Sequence, residues 1–199
     1  MLCLLAQYRC EIIDVPARFG VRRCVCSTRD ERKSNNYEGE ASMPLHIGDV
    51  APDFELYNQE NQTKSARDYR GKYLILYFYP KDSTPGCTRE ACDFTANFST
   101  FKNAGATIVG ISPDSVKSHQ KFIMNEALAI ELLSDTEKTV AKAYMVWKRK
   151  KMAGKTYMGI ERTTFIIDPN GKIAAIFPQV KVDGHWEEVL TSLNHLQKS

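Results

Sequence analysis

The sequence predicts an α/β domain, a central mixed β-sheet covered by helices, behind an N-terminal extension. Three observations predict it. Residues 73–79 (YLILYFY) form a continuous apolar and aromatic run bounded by Gly71 and Pro80, the signature of a strand buried on both faces. Beyond residue 88 the apolar period lengthens: Ala91, Phe94, Phe98 and Phe101 share one helical face. From there strand-like and helical stretches alternate, which implies right-handed crossovers and parallel pairing, until a final hairpin adds an antiparallel edge.

The elements follow in order. Residues 54–57 (FELY) are a short strand and 58–61 (NQEN) a turn. The apolar run 73–79 is the central strand, and the helix after it extends from 88 to the Ala104-Gly105 stop. Residues 106–111 (ATIVGI) are the next buried strand, and 112–115 (SPDS) supply a turn and a cap. A helix from Val116 to Glu126, a short strand at 131–133 and a helix at 137–144 come next. Strands at 163–167 and 173–177 are joined by Asp168-Pro169-Asn170-Gly171, a tight hairpin turn. The last helix, 184–196, buries Trp186, Val189, Leu190, Leu193 and Leu196, with Glu187 and Glu188 favourably placed in its first turn. Residues 148–157 (KRKKMAGKTY) are too short to divide two cores; the basic stretch in them, 148–151 after Trp147, reads as a solvated loop, and its sharper reading is contact with a negatively charged partner.

Composition narrows the function. The 199 residues carry 27 Lys/Arg against 24 Asp/Glu, and a net charge of +3 does not argue for a nucleic-acid partner. No apolar run approaches the length of a membrane-spanning helix. The four histidines have no metal-ligand spacing.

Residues 1–42 differ from the rest. They hold seven basic and six acidic residues, no sustained periodicity, and four of the six cysteines: Cys3, Cys10, Cys24 and Cys26. The acids argue against a transit peptide. The plainer expectation is a poorly structured extension before a single domain at 43–199, in the cytoplasm, with organelle targeting as the alternative. The one-residue gap between Cys24 and Cys26 is too short for a usual zinc pair.

The remaining cysteines, Cys87 and Cys92, carry the chemistry. Cys87 lies just beyond the C-terminal end of the central strand, where open α/β sheets bind ligands. It also falls in the first turn of a helix, where free amides and the positive helix end favour a thiolate. Cys92 is five residues further on. On an intact helix that means a rise of about 7.5 Å, a rotation of about 140° and a Cα separation of about 8.7 Å. A disulfide needs roughly 4.4–6.8 Å, so the two can bond only after the first turns unwind. Thr84 shares the tight turn before Cys87, where its hydroxyl can donate to the thiolate or accept from a peroxide. Arg162 opens the strand 163–167; a guanidinium near Cys87 would stabilise the thiolate and a departing oxyanion, but sequence alone does not bring the two together.

The segment YFYPKDSTPGCTREAC closely resembles the active-site segment of peroxiredoxins, in the bacterioferritin comigratory protein, or Q-type, branch. LHIGDVAPDFEL and KTYMGIERTTF are similar to the same branch, and the resemblance spans about residues 45–196. It implies a thioredoxin-like fold and a reaction that needs neither a metal nor an organic cofactor. It also implies thiol-dependent reduction of hydrogen peroxide or organic hydroperoxides, with Cys87 as the peroxidatic cysteine and Cys92 as the resolving one. Thr84 and Arg162 would hold the peroxide, and Pro80 would shape the pocket. The resemblance further implies an intramolecular disulfide, a thioredoxin or similar dithiol reductant, and a monomer with a weak dimer as the other state. A peroxide sensor or redox relay is the alternative role for the same cysteine chemistry.

Overall fold

A computed structural model describes residues 44–152 and 154–198. The expected extension, with its four cysteines, lies outside the described residues. In chain order the described elements are β1 (Glu55–Asn58), β2 (Thr63–Ser65), a 3-10 turn (Ala66–Tyr69), β3 (Tyr73–Phe78), α1 (Pro85–Ala96), α2 (Phe98–Asn103), β4 (Ala106–Ser112), α3 (Val116–Glu126), β5 (Glu131–Ser134), α4 (Thr139–Ala143), β6 (Trp147–Met152), β7 (Lys155–Ile160), β8 (Thr163–Ile167), β9 (Ile173–Phe177) and α5 (His185–Leu196). No helix among the described residues is long and apolar enough to cross a membrane.

Seven strands form one mixed sheet in the order β2-β1-β5-β4-β3-β8-β9. β3, β4 and β5 run parallel, joined by crossovers that contain α1–α2 and α3, while β8 pairs antiparallel with β3 and β9 with β8. The pleat sends alternate side chains of β3 to opposite faces. Leu74, Leu76 and Phe78 enter a core with Phe54, Val140, Tyr144 and Phe165. Ile75, Tyr77 and Tyr79 enter a second core with Cys87, Ala91, Phe94, Phe101, Phe122, Val189 and Leu193. The central strand is therefore buried on both faces, as its unbroken apolar sequence requires, and Cys87 belongs to the α1 side of the sheet.

Three features depart from the sequence reading. The single helix expected over 88–104 begins three residues earlier and is interrupted at Asn97, whose φ of −103° and ψ of 10° leave the helical region. The Asn97 side-chain amide donates to the Asp93 carbonyl at 2.9 Å, beside the backbone bond to the same oxygen. Asn breaks helices by this local competition for backbone partners. Residues 63–65, to which the sequence reading assigns no element, pair with β1 as a short edge strand. The basic stretch is no loop: β6 and β7 form a two-stranded ribbon in continuous register from Trp147↔Ile160 to Met152↔Lys155. Its strands lack a core-facing apolar alternation, because neither face of the ribbon is buried in the sheet.

Candidate active site

The loop from β3 delivers Cys87 to the third position of α1. Thr84 is the N-cap, in extended backbone (φ −94°, ψ 146°), and Pro85 occupies the first helical position. Proline suits that position: its φ is already helical and the missing N–H has no partner there anyway. Cys87 then lies in the turn whose amides point outward from the helix start, with its side chain 1 % exposed against the α1-side core.

Sheet register brings the arginine to the sulfur. Phe78, the last residue of β3, pairs with Thr163, the first of β8. Arg162 therefore stands beside the point where β3 ends and the loop to Cys87 begins. Its Nη2 donates to Cys87 Sγ at 3.1 Å. Its Nη1 pairs with Glu90 Oε2. Glu90 is three residues after Cys87, on the same face of α1. The fork of the guanidinium thus spans the thiol and the carboxylate, a geometry that lysine does not reproduce.

Glu90 is the site residue that sequence reasoning missed. An acid in an amphipathic helix reads as a solvated residue, yet Glu90 is 2 % exposed. The available signal was its i+3 spacing from Cys87. Its Oε1 has no hydrogen-bond partner among the described residues. Burial pushes its carboxyl up to about 7, against the pull of Arg162. On Arg162 burial works the other way, but the Glu90 and Cys87 charges outweigh it and hold the guanidinium above its ordinary value. The two partners thus pull in opposite senses, and the unpartnered oxygen decides for Glu90: its ionisation is resisted. Tyr77, stacked on Tyr79 and packed against Phe94, lies beneath. Burial first, then the Glu90 and Cys87 charges, keep its phenol protonated well beyond the ordinary range.

The other expected site residues fall as follows. Thr84 is half-buried, and its hydroxyl donates to the Lys81 carbonyl at 3.1 Å rather than to Cys87. With its hydrogen engaged, the oxygen's lone pairs remain available to accept a peroxide O–H. Pro80 is exposed, two residues beyond the end of β3. Cys92 lies on α1 with Cys87, half-buried, and both thiols are free. Burial first, then Glu126 and Asp93, push the Cys92 thiol up. Since α1 is continuous from Cys87 to Cys92, the helical separation derived above applies and no disulfide can form in this state. Among the described residues, no group of three or more His, Cys, Asp or Glu is placed to hold a metal ion.

A buried thiol on a helix start, bridged by arginine to a buried acid, accords with what comparison with known proteins finds. Residues 47–176 match the AhpC/TSA family. The chain belongs to that family. Within it, the chain is a peroxiredoxin of the Bcp, or Q-type, branch. It is 47 % identical over 156 residues to peroxiredoxin Bcp of Bacillus subtilis, which covers 78 % of this chain and 99 % of the relative. Among solved structures, peroxiredoxin Q of Xylella fastidiosa superposes with a TM-score of 0.74 at 38 % identity, over 78 % of this chain and 99 % of that one. The bacterioferritin comigratory protein of Xanthomonas campestris, studied for alkyl peroxide reduction, gives a TM-score of 0.71 at 41 % identity, over 76 % and 96 %. These neighbours have the thioredoxin fold of peroxiredoxins, and peroxidase activity comes with the family.

Proposed function

We propose that this chain reduces hydrogen peroxide and organic hydroperoxides with Cys87 as the attacking thiolate and Cys92 as the resolving thiol, and that a thioredoxin-like dithiol protein recycles it. The observation that carries the reading is the 3.1 Å contact between Arg162 Nη2 and the buried Sγ of Cys87 at the start of α1. It places a fixed cation beside the attacking sulfur, where negative charge develops as the peroxide is cleaved.

In the first step the sulfur attacks the nearer peroxide oxygen, the S–O bond forms as the O–O bond breaks, and the departing oxygen takes a proton to leave as water or an alcohol. Arg162, the Thr84 hydroxyl and the amides that open α1 hold the two oxygens, while Pro80 borders the approach. In the second step α1 unwinds far enough for Cys92 to attack the sulfenic acid, giving a disulfide and water. Both cysteines lie on one helix, so the cycle closes within a single chain. In the third step the reductant's two thiols are oxidised to a disulfide while the Cys87–Cys92 bond is reduced. Support for organic hydroperoxides comes from the alkyl peroxide reduction studied in the Xanthomonas relative.

The test is peroxide consumption by the full chain with thioredoxin, thioredoxin reductase and NADPH. The wild type is expected to turn over, Cys87→Ser to be inactive, and Cys92→Ser to be oxidised once and then recycle poorly. Full activity in Cys87→Ser would overturn the reading. Normal turnover in Cys92→Ser would remove the resolving role, and a stable mixed disulfide between Cys92→Ser and a partner other than thioredoxin would favour a relay instead.

A further inference from the structure

Beneath the loop that leads to Cys87 lies a buried polar cluster that the reaction above does not use. Asp82 is 5 % exposed and His119 fully buried. His119 Nδ1 lies 2.9 Å from Asp82 Oδ2, and the Tyr79 hydroxyl donates to Asp82 Oδ1 at 2.7 Å. The Asp82 amide in turn donates to Asp114 Oδ2 at 2.8 Å, an oxygen that also accepts from the Ser112 hydroxyl at 2.8 Å. His119 belongs to α3, Ser112 ends β4, and Tyr79 follows the last residue of β3. One aspartate is therefore gripped through its side chain by Tyr79 and His119 and through its main chain by Asp114.

Burying an acid and a histidine together is expensive, and apolar residues of similar volume would fill the space with less desolvation. Burial alone would raise the Asp82 carboxyl, but the bonds from His119, Ser118 and Tyr79 outweigh it and hold it below its ordinary range. What such a cluster supplies is a fixed position. From Asp82 the chain passes through Ser83, whose φ of 54° is a left-handed conformation that serine adopts at a cost. The Thr84 hydroxyl then bonds back to Lys81, next to the anchored residue, and the Thr84 carbonyl accepts the Thr88 amide at 2.8 Å. The strained residue and the cap of α1 both depend on where Asp82 is held.

We propose that Asp82, clamped by His119, is a positioning residue for peroxide reduction: it fixes residues 81–84 so that the Thr84 hydroxyl faces the peroxide that Cys87 attacks. The proposal rests on the reading of Cys87 as the peroxidatic cysteine. Asp82 acts through Thr84, so its loss should disturb the alignment of peroxide oxygens and leave the sulfur's intrinsic reactivity alone.

Two rates at Cys87 separate those effects, both read in the full chain by mass spectrometry of the modified peptide. One is single-turnover oxidation by hydrogen peroxide. The other is alkylation by iodoacetamide, which needs the thiolate but no alignment of peroxide oxygens. Asp82→Asn and His119→Leu are expected to slow oxidation by about 10-fold or more, in keeping with the cost of misplacing reacting groups, while alkylation stays within about twofold. His119→Gln, whose amide can donate to the carboxylate, is expected to recover most of the oxidation rate. Parallel loss of both rates, or no loss of either, would overturn the proposal. Should Asp82→Asn not fold, Tyr79→Phe removes one bond to the carboxylate and keeps the ring; it should show the same split at about threefold, and its absence is equally fatal. Failure of the underlying reading looks different: the wild-type thiol would alkylate yet not react with peroxide at all.

Discussion

Glu90→Gln should change how the stability of this protein depends on pH. The carboxyl is almost fully buried, one oxygen pairs with Arg162 and the other has no partner among the described residues. Burial pushes it from its ordinary 4.5 to about 7. Below about pH 4.5 the group is protonated in the folded and the unfolded chain alike and favours neither. As pH rises towards 7, the unfolded chain releases this proton first while the folded chain retains it. Folding must then hold a proton that the unfolded state has lost, and each step in pH weakens the fold. Above 7 both states are ionised and the penalty is constant. The gap of about 2.5 units, at 1.36 kcal/mol each, amounts to about 3 kcal/mol. Urea unfolding under reducing conditions, followed by tryptophan fluorescence from pH 4.5 to 8, measures it. The stability of Glu90→Gln relative to wild type should rise by about that amount across the window and then level off. Parallel curves would mean that burial and Arg162 cancel. A slope of opposite sign would mean that the ion pair dominates and the carboxylate is held ionised; either result refutes the reasoning.

Three further outcomes are expected. Arg162→Met should slow peroxide oxidation of Cys87 by about 10²–10³-fold in stopped flow, as loss of an oxyanion donor does, and Arg162→Lys should recover little because one ammonium cannot span Sγ and Glu90; a loss under threefold would count against the assigned role. Gly110→Ala places a Cβ 2.7 Å from the Tyr77 ring and 2.8 Å from Leu132 Cδ2. Crowding of that kind costs about 1–3 kcal/mol, so the thermal midpoint should fall by several degrees, and an unchanged midpoint would show that the ring yields freely. On oxidation to the disulfide, amide hydrogen exchange should rise within Pro85–Ala96 and stay low in Phe98–Asn103, because the break at Asn97 separates the two helices. Rising exchange in both would show that they unwind as one unit.

Much of the site was legible before the structure because it depends on local pattern. An unbroken apolar strand, a proline- and glycine-bearing turn and a change of period are enough to put Cys87 on a helix start at the end of a central strand. What was not legible depends on pairing or competition between groups. Arg162 reaches Cys87 only through the Phe78↔Thr163 register, which no local window contains. The break at Asn97 turns on one side-chain amide competing for a carbonyl within an apolar pattern that continues through it. The β6–β7 ribbon carries no buried face for an alternation to mark. Glu90, Asp82 and His119 are buried polar residues with partners far away in sequence, Arg162 for Glu90 and each other for Asp82 and His119.

The two residues that open α1 bear on the balance between its wound and unwound forms. A methyl group on Gly86 would meet Arg162 Nη2 at 3.5 Å, ordinary contact, so the wound helix has room for a side chain there. The effect of Gly86 therefore lies mainly in the unwound chain, whose conformational freedom it raises by about 0.5–1 kcal/mol relative to alanine. Pro85 acts in the opposite sense: its ring keeps φ near the helical value whether the turn is formed or not, leaving less freedom to lose on rewinding. One residue lowers the entropic barrier to returning and its neighbour rewards leaving. On the proposed mechanism this helix start opens and closes once per cycle, and these two residues then act on that step in opposite senses through backbone entropy, independently of any contact made by the sulfur.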